Sequence, residues 1–126
     1  MLLWLAAALT AGCATQHEQA SAEQSVTDGL TVYRRECLAC HMADGRGVPG
    51  MTPGLRGSPW VLGSSDALVG YVLTGGFGPA VLMASFDFLT DAEMAAVLAY
   101  CREEYGEGAG TVSVEQVARV RAQLER

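Results

Sequence analysis

Lysine is missing from this 126-residue chain. Its eight cationic side chains are therefore all arginine, and fourteen Asp and Glu leave a formal net charge of −6. That balance disfavours nucleic acid as a partner, because a phosphate backbone repels an acidic surface. It suits a basic docking patch on another protein, an effect on encounter rate rather than on fold. Histidine is scarce too, at His17 and His41. A tetrahedral zinc site needs a further Cys or His pair, which the chain lacks. The four cysteines make no disulfide framework: Cys13 closes an N-terminal apolar run, Cys101 stands alone on a predicted helix, and Cys37 and Cys40 lie close together. No apolar run reaches the length of a bilayer-spanning helix. Strand-period alternation and internal repeats are both lacking, which points to an all-α class. The length bounds the folded part to one domain with a small core.

Against these absences stands Cys37-Leu38-Ala39-Cys40-His41, the Cys-x-x-Cys-His attachment signal for a c-type haem. The two thiols add across the two vinyl groups of the ring, and the two residues between them set the separation. His41 then lies under the ring, where an imidazole nitrogen can bind the iron. A dithiol redox site, the competing reading of a Cys-x-x-Cys, wants a thioredoxin-like βαβ context that is missing here. A flat apolar ring also enlarges a small core by giving helices something to pack on.

Residues 1–12 are apolar and uncharged and end in small residues, the pattern of an export signal. The usual positive start is absent, so the true start of the chain can lie upstream. Leu9-Thr10-Ala11-Gly12-Cys13 is similar to a bacterial lipoprotein signal, in which Cys13 becomes the lipidated first residue. Thr10 stands where that signal prefers Leu. Cleavage near Ala14 and an uncleaved weak anchor are the alternatives. Export agrees with the haem signal, since bacterial c-type haem is attached outside the cytoplasm. Residues 13–26 hold little that is large and read as a flexible tether, reaching about 20 Å on average. His17 lies in that tether.

The domain is expected over 27–126. Leu30, Tyr33 and Cys37 share one helical face, which delivers the Cys-x-x-Cys turn. The Gly- and Pro-rich stretch from Asp44 to Trp60 reads as an irregular loop wrapped over the haem. Ser65 is the expected cap of a short helix with Leu68, Val69, Val72 and Leu73 inward, ended by Thr74 to Pro79. Val81 to Phe86 reads as an apolar loop. Thr90-Asp91-Ala92-Glu93 is a capping box. The helix after it buries Met94, Val97, Leu98 and Cys101, so Cys101 reads as a small core hydrophobe. A second box pattern, Ser113 to Gln116, opens a last helix with Val117, Val120 and Leu124 inward.

A haem bound by one histidine leaves a coordination position open, and the candidates are few. His17 is in the tether and Met1 in the leader. Met42 adjoins His41 and cannot reach the opposite ring face. Met51 lies in a loop that must first turn around the histidine side, and Met94 belongs to a helix stripe. Met83 follows His41 at a distance that lets the chain pass round the ring edge, which makes it the expected second ligand. Thioether ligation raises the reduction potential and fills the site, leaving outer-sphere electron transfer as the available chemistry.

With these residues placed, the chain resembles a class I cytochrome c over about residues 28–126. Gly29 and Tyr33 match the Gly and aromatic of that family's first helix. Pro53-Gly54-Leu55 is similar to its Pro-x-Leu, whose proline carbonyl takes the histidine ring N–H and sets its tautomer. Met83-Ala84-Ser85-Phe86 is similar to its Met-Pro-x-Phe ligand loop, with Ala84 in place of Pro. Ala99-Tyr100-Cys101-Arg102 is similar to its terminal helix, whose aromatic packs against the early glycine. The Trp60 region and the tail from Val112 resemble small cytochromes attached to bacterial dehydrogenases. By that analogy Arg46, Arg56 and Trp60 meet the propionates, with solvated arginines and a core tryptophan as the alternative.

The resemblance implies four or five short helices wrapped around one covalent haem. Together with the export and lipoprotein-like signal ending at Cys13, it implies a periplasmic, lipid-anchored carrier of one electron rather than an enzyme. The partners it implies are a dehydrogenase or quinol-oxidising complex on one side and a terminal oxidase or reductase on the other. A weak peroxidase or a gas-sensing module is the alternative if Met83 does not hold the iron.

Overall fold

The computed structural model describes residues 29–78 and 81–126. The export signal, Cys13, His17 and the tether lie outside the described residues. The first helix, α1, covers 29–41. Its middle, Tyr33–Cys37, winds as a π-helix in which the Leu38 N–H donates to the Tyr33 carbonyl, and its last turn is Leu38–His41. A π turn takes up one residue more than an α turn and changes where the following side chains point. Here it lies directly before Cys40 and His41. At Gly29, α1 crosses the fourth helix so closely that a Cβ would sit 2.5 Å from the Ala96 carbonyl oxygen. Glycine is what allows that crossing.

The chain leaves α1 at Met42, whose φ is +63°. The carbonyls at this helix end are taken up locally. Tyr33 Oη–H donates to the Met42 carbonyl at 2.7 Å and the Gly47 N–H donates to the His41 carbonyl at 3.0 Å. The loop that follows folds back on itself through a Val48–Thr52 bridge and a Leu55 N–H to Gly45 carbonyl bond of 2.7 Å. Gly45 (φ +67°) leaves no room for a Cβ against the Tyr105 ring.

Helix α2 (Pro59–Leu62) starts on a proline, and α3 (Ser65–Thr74) follows it. Ser64, not the expected Ser65, caps α3, its Oγ accepting from the Ala67 N–H. The two adjacent serines are equivalent in sequence, and only the extended backbone at Ser64 decides between them. Helix α3 stops at Gly75, as expected. The chain then forms an antiparallel hairpin, β1 (Gly76–Gly78) paired with β2 (Val81–Met83), where sequence reading expects only loop. Three residues a side are too few to show a period of two, which is why the alternation was not legible.

Helix α4 (Asp91–Glu104) carries both halves of the capping box, between Thr90 and Glu93. Helix α5 (Val114–Leu124) is capped by Ser113 alone. The Gln116 side chain, instead of closing a second box, donates to Ser65 Oγ and Asp66 Oδ1 and so ties α5 to α3. Val117 and Val120 are buried as expected. Leu124 is not: it is 50 % exposed, because it is the last residue of α5, one turn beyond Val120. The core gathers Leu68, Val69, Val72 and Leu73 from α3 with Met94, Val97, Leu98 and Cys101 from α4. The described residues thus form five helices and one short hairpin, in agreement with the all-α expectation.

Candidate haem site

Among the described residues lies a cleft of about 520 Å³, mostly apolar and open on one side. Helix α1 brings Cys37, Cys40 and His41 to it. The loop adds Pro53 and Leu55, α2 adds Trp60, α3 adds Leu68 and Val72, β2 adds Met83, and α4 adds Leu98 and Cys101. His41 Nδ1 lies 3.2 Å from the Pro53 carbonyl oxygen. A carbonyl can only accept, so the proton sits on Nδ1 and Nε2 keeps its lone pair for a metal. Burial lowers the His41 pKa, and the Pro53 bond opposes that only in part, so the ring is held neutral, the form that ligates iron. Burial, with the Glu36 carboxylate adding to it, pushes the Cys37 thiol up to about 12. Cys101 is buried in the core and its thiol is raised by burial, as expected of a packing residue.

Two methionines among the described residues line the cleft, Met51 and Met83. Met51 is 77 % exposed at the rim. Met94 is fully buried in the core, and Met42 forms the turn after α1.

A family model described as "Cytochrome C oxidase, cbb3-type, subunit III" matches residues 24–101. The chain is 30 % identical to cytochrome c-552 of Thermus thermophilus, with 75 % of this chain and 85 % of that protein aligned. It is 39 % identical to the cytochrome c subunit of a quinone-dependent alcohol dehydrogenase from Gluconobacter oxydans, over 74 % of this chain and 22 % of that subunit. It is 36 % identical to the gluconate 2-dehydrogenase cytochrome c subunit of Pantoea cypripedii, over 74 % of this chain and 24 % of that subunit. The chain belongs to the cytochrome c family. It spans about a quarter of the length of the dehydrogenase subunits it matches and most of the length of the Thermus cytochrome.

The cofactor of this cytochrome is therefore haem c, covalently bound and iron-containing. The cleft fits it on three counts. Its volume lies within the roughly 300–1,000 Å³ of small-molecule and cofactor sites. Its walls are apolar, as the ring faces require. It offers two thiols for the vinyl groups and, as candidate iron donors, a neutral imidazole with a free Nε2 and a thioether.

The arginines of the cytochrome do not gather at this cleft. Arg46 is exposed and pairs with Asp44 at 3.2 Å. Arg56 donates to the carbonyls of Asp44 and Glu104, both at 3.1 Å, and stacks 5.1 Å over the Tyr105 ring. Both line a smaller hollow beside the main cleft instead. Arg46 pairs within the loop and Arg56 with Glu104 at the end of α4, so the placement gives no support to the expected propionate contact. Trp60 does line the cleft. Its ring stacks on Tyr71 at 4.4 Å and is 46 % exposed, so it is a wall at the rim rather than a core residue.

Sequence reasoning gave Arg102 no role of its own. It is 5 % exposed and donates to the carbonyls of Val61, Gly63, Ala109 and Gly110. Its acceptors are backbone atoms at the end of α2, about forty residues back, and in the loop after α4, so no pattern of residue types announces it. It braces the end of α2, and thereby the Trp60 wall, against α4. Tyr105 is likewise buried, edge-on to Tyr100 at 5.9 Å and tilted against Tyr33 at 5.6 Å, and its hydroxyl donates to the Ala43 carbonyl at 3.0 Å.

Proposed function

We propose that this electron-transfer haem protein holds its haem through thioethers from Cys37 and Cys40 and its iron between His41 Nε2 and Met83 Sδ. When bound, the haem supplies a reversible one-electron couple. The chain's residues do the rest: Pro53 orients His41, the apolar walls exclude water, and a methionine ligand closes the position at which oxygen or peroxide would react. On this reading the protein carries an electron and transforms no substrate. The observation that carries the reading is the convergence of Cys37, Cys40, His41 and Met83 on one apolar cleft.

The donor is a dehydrogenase or a quinol-oxidising complex and the acceptor an oxidase or reductase. Support for the first comes from relatives named as cytochrome subunits of alcohol, gluconate and fructose dehydrogenases. The protein works on the periplasmic side, with 1–12 as export signal, Cys13 as lipid anchor, 13–26 as tether and 27–126 as the domain.

The test is the absorption spectrum of the oxidised holoprotein beside that of Met83→Ala. A weak far-red sulfur-to-iron band in the parent, lost in the variant, supports the His41/Met83 reading. A parent without the band that binds carbon monoxide readily when reduced overturns it. For the anchor, Cys13→Ala moves the protein from the membrane fraction to the soluble one. A variant still sedimenting with membranes removes Cys13 from the account.

A further inference from the structure

Where the family's ligand loop has a proline after the methionine, this chain has Ala84, which leaves the backbone there free to turn. The structure supplies other restraints around it. Before Met83, the strand β2 pairs with β1 so that Met83 lies opposite Gly76. After it, Ser85 Oγ–H donates to the Leu73 carbonyl at 2.7 Å, and the same oxygen accepts from the Asp87 N–H at 3.3 Å. The Phe86 N–H donates to the Val72 carbonyl at 3.1 Å. These acceptors belong to the last turn of α3, whose Leu68 and Val72 form the cleft wall. The helix end also comes very close. A Cβ on Gly75, at φ +77°, would lie 2.7 Å from the Met83 carbonyl oxygen and 2.9 Å from the Ser85 nitrogen. The backbone from 83 to 86 is therefore laid against the C-terminal carbonyls of α3, and Ser85 is the side chain that fastens it.

We infer that Ser85 is a positioning residue for Met83, holding the thioether toward the iron through the Leu73 carbonyl in place of the absent proline. The inference rests on the Met83 ligation proposed above. The hydroxyl satisfies a helix-end carbonyl and an N–H at once, so its loss, two residues after the ligand, releases the Leu73 carbonyl and the Asp87 N–H. The consequence falls on how easily an outside ligand displaces Met83, more than on whether the domain folds.

The experiment titrates the oxidised holoprotein with imidazole and follows the far-red band, in the parent, Ser85→Ala, Ser85→Thr and Thr90→Ala. Ser85→Thr restores a hydroxyl. Thr90→Ala removes the cap of α4 at a residue that does not itself line the cleft, and controls for stability lost in general. Ser85→Ala is expected to take up imidazole about tenfold more tightly than the parent, the size of one net hydrogen bond. Ser85→Thr and Thr90→Ala are expected to stay near the parent. If Ser85→Ala does not mature, Ser85→Cys, with a weaker donor of similar shape, is expected to shift the same way by less. A parent band with unchanged imidazole affinity in the Ser85 variants overturns this inference alone, as does an equal shift in Thr90→Ala. A parent without the band overturns the ligation reading beneath it.

Discussion

At the scale of single residues, His41, Gly29 and the tyrosines show how neighbours decide what a side chain does. The Pro53 carbonyl selects one tautomer of His41, a choice no property of histidine makes alone. Gly29 is needed for its missing Cβ rather than for its backbone freedom. Gly29→Ala forces α1 away from α4, and we expect a loss of about 2–3 kcal/mol, read as a lower urea midpoint of the holoprotein. The tyrosines give a pH dependence. Burial pushes Tyr33 and Tyr105 up from 10.0 to about 12. An unfolded chain ionises these phenols near 10 while the folded one still holds their protons, so their contribution is intact below pH 10 and is lost as pH rises toward 12. The expected slope is ~1.4 kcal/mol per pH unit for each tyrosine. A phenolate absorbance titration checks it, and two buried tyrosines ionising near pH 10 in the folded protein contradict it.

At the scale of elements, the helices divide by how local their determinants are. Helix α4 is written in adjacent residues: Thr90 and Glu93 cap it, and Met94, Val97, Leu98 and Cys101 repeat at helical spacing. Thr90→Ala is expected to cost ~1 kcal/mol in thermal or urea unfolding with the haem spectrum unchanged. Helix α2 is the opposite case. It has four residues, too few to stand alone, and it is kept by the Arg102 guanidinium on the carbonyls of Val61 and Gly63. Arg102→Met leaves four carbonyls without their buried donor, and we expect a loss of about 3 kcal/mol or more. Arg102→Lys recovers only part of it, since an ammonium cannot span the same acceptors. The hairpin and the π turn belong with α2. Both are short, and both depend on what the rest of the chain packs against them.

At the scale of the molecule, charge and cleft work separately. The chain carries a formal net charge of −6, and on the described surface Arg35, Arg119 and Arg121 are held in ion pairs with Glu93, Asp66 and Asp91. Such a surface speeds encounter with a basic patch and slows it with an acidic one. At low salt, a cationic small redox reagent is expected to exchange electrons with the holoprotein faster than an anionic one of equal driving force. The difference is expected to collapse by roughly 0.5 M salt, where screening shortens to a few ångströms. Equal rates at low salt would remove the electrostatic part of the partner argument.

The sequence alone determined the chemistry and the class of fold. Cys37, Cys40 and His41 fall within five consecutive residues, so their spacing survives any arrangement of the rest, and helix periodicity with its caps is local by nature. Tertiary structure decided what depends on distant backbone atoms: the Nδ1 proton of His41, the hairpin that carries Met83, the fastening of Ser85 to α3 and the burial of Arg102. It also placed Arg46 and Arg56 beside the cleft rather than in it. Each of these is set by carbonyls and N–H groups that every residue carries alike, and so by where the chain passes rather than by which residues it contains.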